Sequence, residues 1–310
     1  MRFRTKISNV PLLHKIIRSL AALARTCVIR LSPEKVHFIV PGNEGRDGVQ
    51  VWSQVLVPTL FEEFRIESNS NNEIWLEVHL DALLKVLRSA DSSAGSTGEA
   101  GRYNSTALSD ATVLLKLNKR DNQPIWGFEI RGRSQNDRPM SIAHEINVRV
   151  LSAKRQAELN EPLCPPPDIH LVLPNLTELR NIVSRLSHIA DDLKISANHE
   201  GTMEFGVKST RVDLTTSWKN LEIPTANVNS EDEHVSQKDK HLSPPSDKLF
   251  SATVSIRGLQ KFLTSHLVGG TAIACICEDH CVIAYVYIGE MDQSGGVLTF
   301  FIPAKISGDD

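Results

Sequence analysis

Long apolar runs are missing from this chain of 310 residues. None reaches the ~18 residues that a membrane-spanning helix needs. The opening Met1-Arg2-Phe3-Arg4-Thr5-Lys6 lacks the apolar centre of a signal peptide. Cysteine is scarce, with five residues, an odd number without framework spacing. That count argues against a disulfide scaffold and fits a reducing compartment, cytosol or nucleus. Catalytic signatures are also absent: no Gly-x-Ser-x-Gly elbow, no phosphate-cradling glycine loop and no His-Glu-x-x-His. The glycines between Gly42 and Gly48 read as a turn. Cys275-x-Cys277-x3-Cys281 with His280 invites a zinc reading, but Ala and Ile surround these cysteines and core thiols are the better expectation. The acidic run Glu231-Asp232-Glu233 lies in a polar stretch and reads as solvated, so no metal or cofactor is expected. Nor is there an excess of positive charge. Lys+Arg number 34 against 37 Asp+Glu, which excludes a generally adhesive nucleic-acid coat protein but not a local basic track.

Such a track is present. Four stretches, Val10–Arg25, His79–Ser89, Asn175–Ile189 and Arg257–His266, have apolar residues at helical spacing. Together they hold nine Lys/Arg against two acids, Asp81 and Glu178. Cations gathered on one kind of element in an acidic chain suggest a polyanion held along one surface. Helix one buries Leu12, Leu13, Ile16, Leu20 and Leu23, leaving His14, Lys15, Arg18 and Arg25 on its polar side. Helix two buries Leu80, Leu83, Leu84 and Leu87 and presents Lys85 and Arg88. Helix three presents Asn181, Ser184 and His188, with Arg180 and Arg185 at the margins. Helix four presents Arg257 and Lys261.

Between the helices the pattern is that of strands: Arg2–Ser8, Thr26–Leu31, Val36–Val40, Val49–Val57, Glu73–Val78, Thr112–Asn118, Ile125–Arg131 and Ser141–Val150 in the first half. The second half repeats the order with Ile169–Leu173, Leu193–Ala197, Met203–Val207, Thr210–Trp218, Phe250–Ile256, Thr271–Cys277, Cys281–Ile288 and Val297–Ile302. The expected class is α+β, in two similar domains at 1–151 and 169–310, each with two amphipathic helices packed on antiparallel sheets. The connector 152–168, with Pro162 and Pro165-Pro166-Pro167, reads as extended and stiff. Residues 89–111 and 225–248 read as disordered insertions, the latter with a candidate phosphorylation dipeptide, Ser243-Pro244.

Several stretches in the right order resemble the Hus-one family. They are Met1-Arg2-Phe3-Arg4, Thr26-Cys27-Val28-Ile29-Arg30-Leu31-Ser32-Pro33-Glu34-Lys35-Val36, Asn71-Asn72-Glu73-Ile74-Trp75-Leu76-Glu77, the connector, and Phe301-Ile302-Pro303-Ala304. Leu186-Ser187-His188-Ile189-Ala190-Asp191 followed by Ile195-Ser196-Ala197 is similar to proliferating cell nuclear antigen. The resemblance implies a DNA sliding-clamp fold and a non-enzymatic subunit of the heterotrimeric nine-one-one checkpoint ring. Implied partners are two other clamp subunits, double-stranded DNA held without sequence preference, a clamp loader, and repair and checkpoint proteins. Nuclear location is implied and membrane association is not. It assigns the hole-lining surface to Lys15, Arg18, Arg25, Lys85, Arg88, Arg180, Arg185, His188, Arg257 and Lys261. It assigns subunit contacts to Ile142, His144, Ile146 and Val148 on one strand and to Val212, Leu214 and Thr216 on another. A connector-side surface, with Leu171–Pro174 and the tail Pro303–Ile306, is where such clamps capture peptides. A homotrimeric replication clamp is the alternative within the same fold; a metal-dependent nuclease or deaminase is the alternative from another class.

Overall fold

The structure, a computed structural model, describes residues 1–42, 46–91, 109–134, 137–224, 245–291 and 294–305. Glu231-Asp232-Glu233, Ser243-Pro244 and Ile306, singled out above, lie outside the described residues.

In the first half, strand β1 (Arg2–Ile7) turns Phe3, Thr5 and Ile7 inward by alternation. Asn9 then caps helix α1 (Val10–Ala21), its Oδ1 accepting from Leu12 N–H at 3.1 Å, with Pro11 in the first turn. Strands β2 (Thr26–Leu31), β3 (Lys35–Val40) and β4 (Gln50–Leu56) follow as a meander. A single helical turn, α2 (Val57–Leu60), leads into β5 (Phe61–Glu67). Strand β6 (Ile74–His79) runs directly into helix α3 (Leu80–Ala90). The long strands β7 (Ser109–Arg120), β8 (Gln123–Arg133) and β9 (Pro139–Val150) complete this half. The connector holds a short helix, α4 (Ala153–Ala157).

The second half comprises β10 (Ile169–Val172), α5 (Leu176–Leu186), β11 (Asp192–Ala197), β12 (Met203–Lys208), β13 (Asp213–Trp218), β14 (Phe250–Ser255) and α6 (Ile256–Phe262). A 3-10 turn, Leu263–Leu267, extends α6, and β15 (Ala272–Cys277), β16 (Cys281–Ile288) and β17 (Gly296–Pro303) end the chain.

Thirteen strands form one antiparallel sheet in the order β10-β15-β16-β17-β4-β3-β2-β6-β9-β8-β7-β1-β5. Strands β13-β12-β11-β14 form a second. The halves are sewn together where β17 pairs with β4, Gly296 opposite Val55 through Phe301 opposite Gln50. Strand β9 turns the corner between two parts of the large sheet: Pro139–Asn147 pairs with β8, and Val148–Val150 crosses to β6.

Several expectations need correction. Helix one ends at Ala21, so Arg25 lies beyond it. His14 is not on the polar side; it is 8% exposed and its Nδ1 meets Asp91 Oδ2 at 2.7 Å. A partner 77 residues away supplies the polar contact that lets a histidine enter the core. On α3, Val86 is buried and Leu84 only half so. Helix four is shorter as an α-helix and ends in the 3-10 turn. The insertion at 89–111 is narrower, since Ser89 and Ala90 finish α3 and Ser109–Ala111 begin β7. Pro245–Lys248 closes into a turn, so the second insertion is narrower too. The connector is not extended throughout: Ser152 Oγ caps α4, and Leu159 is buried on Val28 and Ile39. Val212 precedes β13 instead of lying in it.

Candidate nucleic-acid interface

The four main helices share one layer. Helix α1 packs against α3 on one flank and against the 3-10 turn after α6 on the other, and α5 packs on α6 and the same turn. The layer therefore runs across both halves, with its apolar stripes buried against the sheets. Ile16, Ile17 and Leu20 of α1, Leu83 and Leu87 of α3, Leu179 and Val183 of α5, and Leu259 and Phe262 of α6 are all in that core. Helical spacing then decides what the opposite face carries.

That face is basic. Lys15 and Arg18 on α1, Lys85 and Arg88 on α3, and Arg180 and Arg185 on α5 are exposed. Exposed Arg25 stands between α1 and β2, and exposed His188 just past the end of α5. None of these cations takes part in an ion pair among the described residues. The acids of the same helices are few: Asp81 is exposed near the start of α3, and Glu178 accepts from Trp218 Nε1 at 3.3 Å.

The α6 cations differ. Lys261 Nζ lies 2.5 Å from Asp47 Oδ2, and Arg257 Nη2 lies 3.5 Å from Asp191 Oδ1. Lys305 pairs with Asp192 nearby. The sequence places Arg257 and Lys261 on the outward face of helix four but does not reveal these partners, because acids in distant loops carry no helical signal. Asp47 has a φ of 60° and sits in a turn held by Gly48.

The strand edges divide into two kinds. The outer edge of β10 is covered where Val172 N–H donates to Glu222 C=O at 2.8 Å. The outer edge of β14 is covered by Lys305 N–H to Thr253 C=O at 2.7 Å and Asp279 N–H to Ser251 C=O at 2.9 Å. Among the described residues, the Pro139–Asn147 stretch of β9 pairs on one side only, as do β13 and β5. Of the expected contact residues, Ile142 and His144 on β9 and Leu214 and Thr216 on β13 are half-buried, Ile146 and Val148 are buried, and Val212 is exposed. His144 Nε2 also meets Ser89 Oγ at 3.0 Å, tying β9 to the end of α3.

Cys275, Cys277 and Cys281 are all buried. Burial pushes the Cys275 thiol up to about 12, and the Cys281 thiol upward as well.

Helices layered on antiparallel sheets, with two halves joined strand to strand, define a protein of the sliding-clamp class. Proliferating cellular nuclear antigen from Entamoeba histolytica shares this fold with a TM-score of 0.68, covering 98% of each chain at 16% identity. Within that class the chain belongs to the family described as Hus1-like protein, which matches residues 1–306. It is 32% identical to checkpoint protein hus1 of Schizosaccharomyces pombe, over 99% of this chain and all of that protein. It is 28% identical to checkpoint protein HUS1 of Homo sapiens, over 98% of this chain and 99% of that one. The resemblance and the fold class read from the sequence are both borne out.

Proposed function

We propose that this chain is a non-enzymatic subunit of a ring-shaped DNA-damage checkpoint clamp. It closes around double-stranded DNA in the nucleus together with two different clamp subunits. The observation that carries the reading is the outward face of the helix layer, where cations from both halves stand without acidic partners among the described residues. Such a face holds phosphates without reading bases, so the ring stays on DNA and still slides. The chain divides at the connector into domains 1–151 and 169–310. The bare stretches of β9 and β13 support the ring: among the described residues each has a row of backbone groups without a partner, open to a neighbouring chain, and the edges of β10 and β14 do not. A closed ring turns weak contacts into long residence, because escape requires an interface to open. An ATP-driven loader would open it, and repair and checkpoint proteins would dock on the outside.

Co-purification with candidate clamp subunits, mass measurement, and retention on circular against linear DNA test this reading. A three-chain mass, retention on circles and rapid loss from linear ends are expected. A stable self-trimer would move the assignment to a homotrimeric processivity clamp, and metal-dependent strand cleavage would move it to an enzyme. The double variant Arg18→Glu, Lys85→Glu reverses two exposed charges on adjacent helices. Retention on circles should fall roughly tenfold at moderate salt with assembly unchanged; unaltered retention would place the DNA elsewhere.

A further inference from the structure

Three of the five cysteines converge beneath the connector. Cys164, in the connector, is half-buried, and its Sγ lies 3.5 Å from the Sγ of Cys281, the first residue of β16, 117 positions away in the chain. Cys277 faces Cys281 across the β15–β16 pair, and its Sγ donates to Pro165 C=O at 3.5 Å. Two hairpin thiols thus hold two consecutive connector residues. Around them lie Ile273, Cys275, Ile283 and Phe301, an apolar cluster on the face of the sheet away from the main core. All of these cysteines are free thiols. Next to Cys164, Leu163 stands 98% exposed, so a reagent reaches this point of the connector from solvent.

We propose that Cys164 and Cys281 are an oxidation site: a thiol pair that a small-molecule disulfide of the glutathione type converts to a cystine, clasping the connector to the β15–β16 hairpin. The sulfur atoms already touch, and the connector is the more movable partner. The Cys164 thiolate attacks one sulfur of the oxidant, whose S–S bond breaks and releases one thiol; the Cys281 thiolate then attacks Cys164 Sγ and expels the second. Two electrons pass from the cysteines to the oxidant, and the two thiol protons end on the two released thiols. The order follows from burial, which raises the Cys281 thiol and leaves the half-exposed Cys164 to meet the reagent first. In a reducing compartment the clasp is open and the connector is held here by apolar contact and by hydrogen bonds such as Cys277 Sγ to Pro165 C=O. When the compartment oxidises, the connector is tied down over the outer face of the sheet. The proposal is independent of DNA binding and of ring assembly, so failure of the clamp reading leaves it standing.

The test uses the full reduced chain incubated with oxidised glutathione at neutral pH. Intact mass should fall by about 2 Da, and a non-reducing peptide map should join the Cys164 peptide to the Cys281 peptide. Tryptic cutting after Lys154 and Arg155 should slow by roughly threefold and recover with dithiothreitol. The partly exposed Cys164→Ser variant, which leaves the core intact, should lose both the link and the slowing. A dominant Cys277–Cys281 link, a stable glutathione adduct on Cys164, or an unchanged cutting rate in linked protein would each overturn the proposal.

Discussion

His37, in the middle of β3, has its Nδ1 buried with no hydrogen-bond partner among the described residues. Burial first, then the charges of Arg30 and Lys35, lower its pKa from 6.5 to about 4. Beside it the Arg30 guanidinium holds Glu73 with contacts of 2.6 and 3.1 Å and draws that carboxyl below its usual range. The two groups act in the same direction on stability. His37 is neutral when folded and takes up a proton more readily when unfolded, so its contribution is whole above pH 6.5 and is lost as pH falls towards about 4. The Glu73 contribution is present above its unfolded value of 4.5 and is lost below it. From pH 7 to pH 5 the wild-type chain should lose roughly 1–2 kcal/mol more than His37→Leu, a figure discounted for the ring's remaining solvent contact. Urea denaturation at the two pH values measures the difference, and an NMR titration of His37 with a midpoint near its ordinary value would remove the argument. This neighbourhood was not legible in the sequence: His37 carries no pattern of its own, and Glu73 and Arg30 meet only because β2 and β6 are paired.

Elements were legible where their period is regular. The apolar stripes of α1, α3 and α5 follow from the residue order, as do most of the strands. Strand β5 was missed for a physical reason. Its pairing with β1 carries a bulge between Arg4 and Lys6, where Glu63 takes a φ of 49°. The extra residue sets Phe61 and Phe64 three apart, so the two-residue alternation breaks. The same bulge and the acids Glu62, Glu63 and Glu67 blunt this edge against other chains, whereas β13 pairs in unbroken register and carries one acid, Asp213, at its start. Val212, 41% exposed at the entry to β13, should weaken pairing with the neighbouring subunit about tenfold when changed to Asp. The melting temperature of the isolated chain should not move. Analytical ultracentrifugation with the partner subunit checks it, and equal affinity would clear this edge of the role. The connector tells a related story. Its prolines signalled extension, but Leu159 alone in a polar stretch gave no period. Leu159→Ala should uncover Val28 and Ile39 and cost about 2 kcal/mol in chemical denaturation; a change near zero would show that α4 is not held by this contact.

At the scale of the whole molecule, the repeated element order suggested the division at the connector that we propose, and the resemblance gave the class. The joint between the parts was not visible, since neither β4 nor β17 differs in pattern from its neighbours. Gly296 makes that joint possible. A Cβ there would lie 2.6 Å from Gln54 C=O and 2.7 Å from Val55 Cα, both backbone atoms unable to give way. Gly296→Ala should therefore force β17 off β4 and destabilise the chain by about 2–3 kcal/mol. Denaturant unfolding would show this as a lower midpoint, with the two halves melting at separate points; a single unshifted transition would mean that the halves are held by the helix layer alone.

The bare edges of β9 and β13 have different sequences and lie in different halves of the chain. They are not self-complementary patches, so in the proposed ring a contact between them would be head-to-tail and would carry a direction. An assembly joined this way has a front that differs from its back. In the proposed ring, any enzyme docked on one rim would meet the threaded duplex with a fixed heading, and left and right along the DNA would cease to be equivalent.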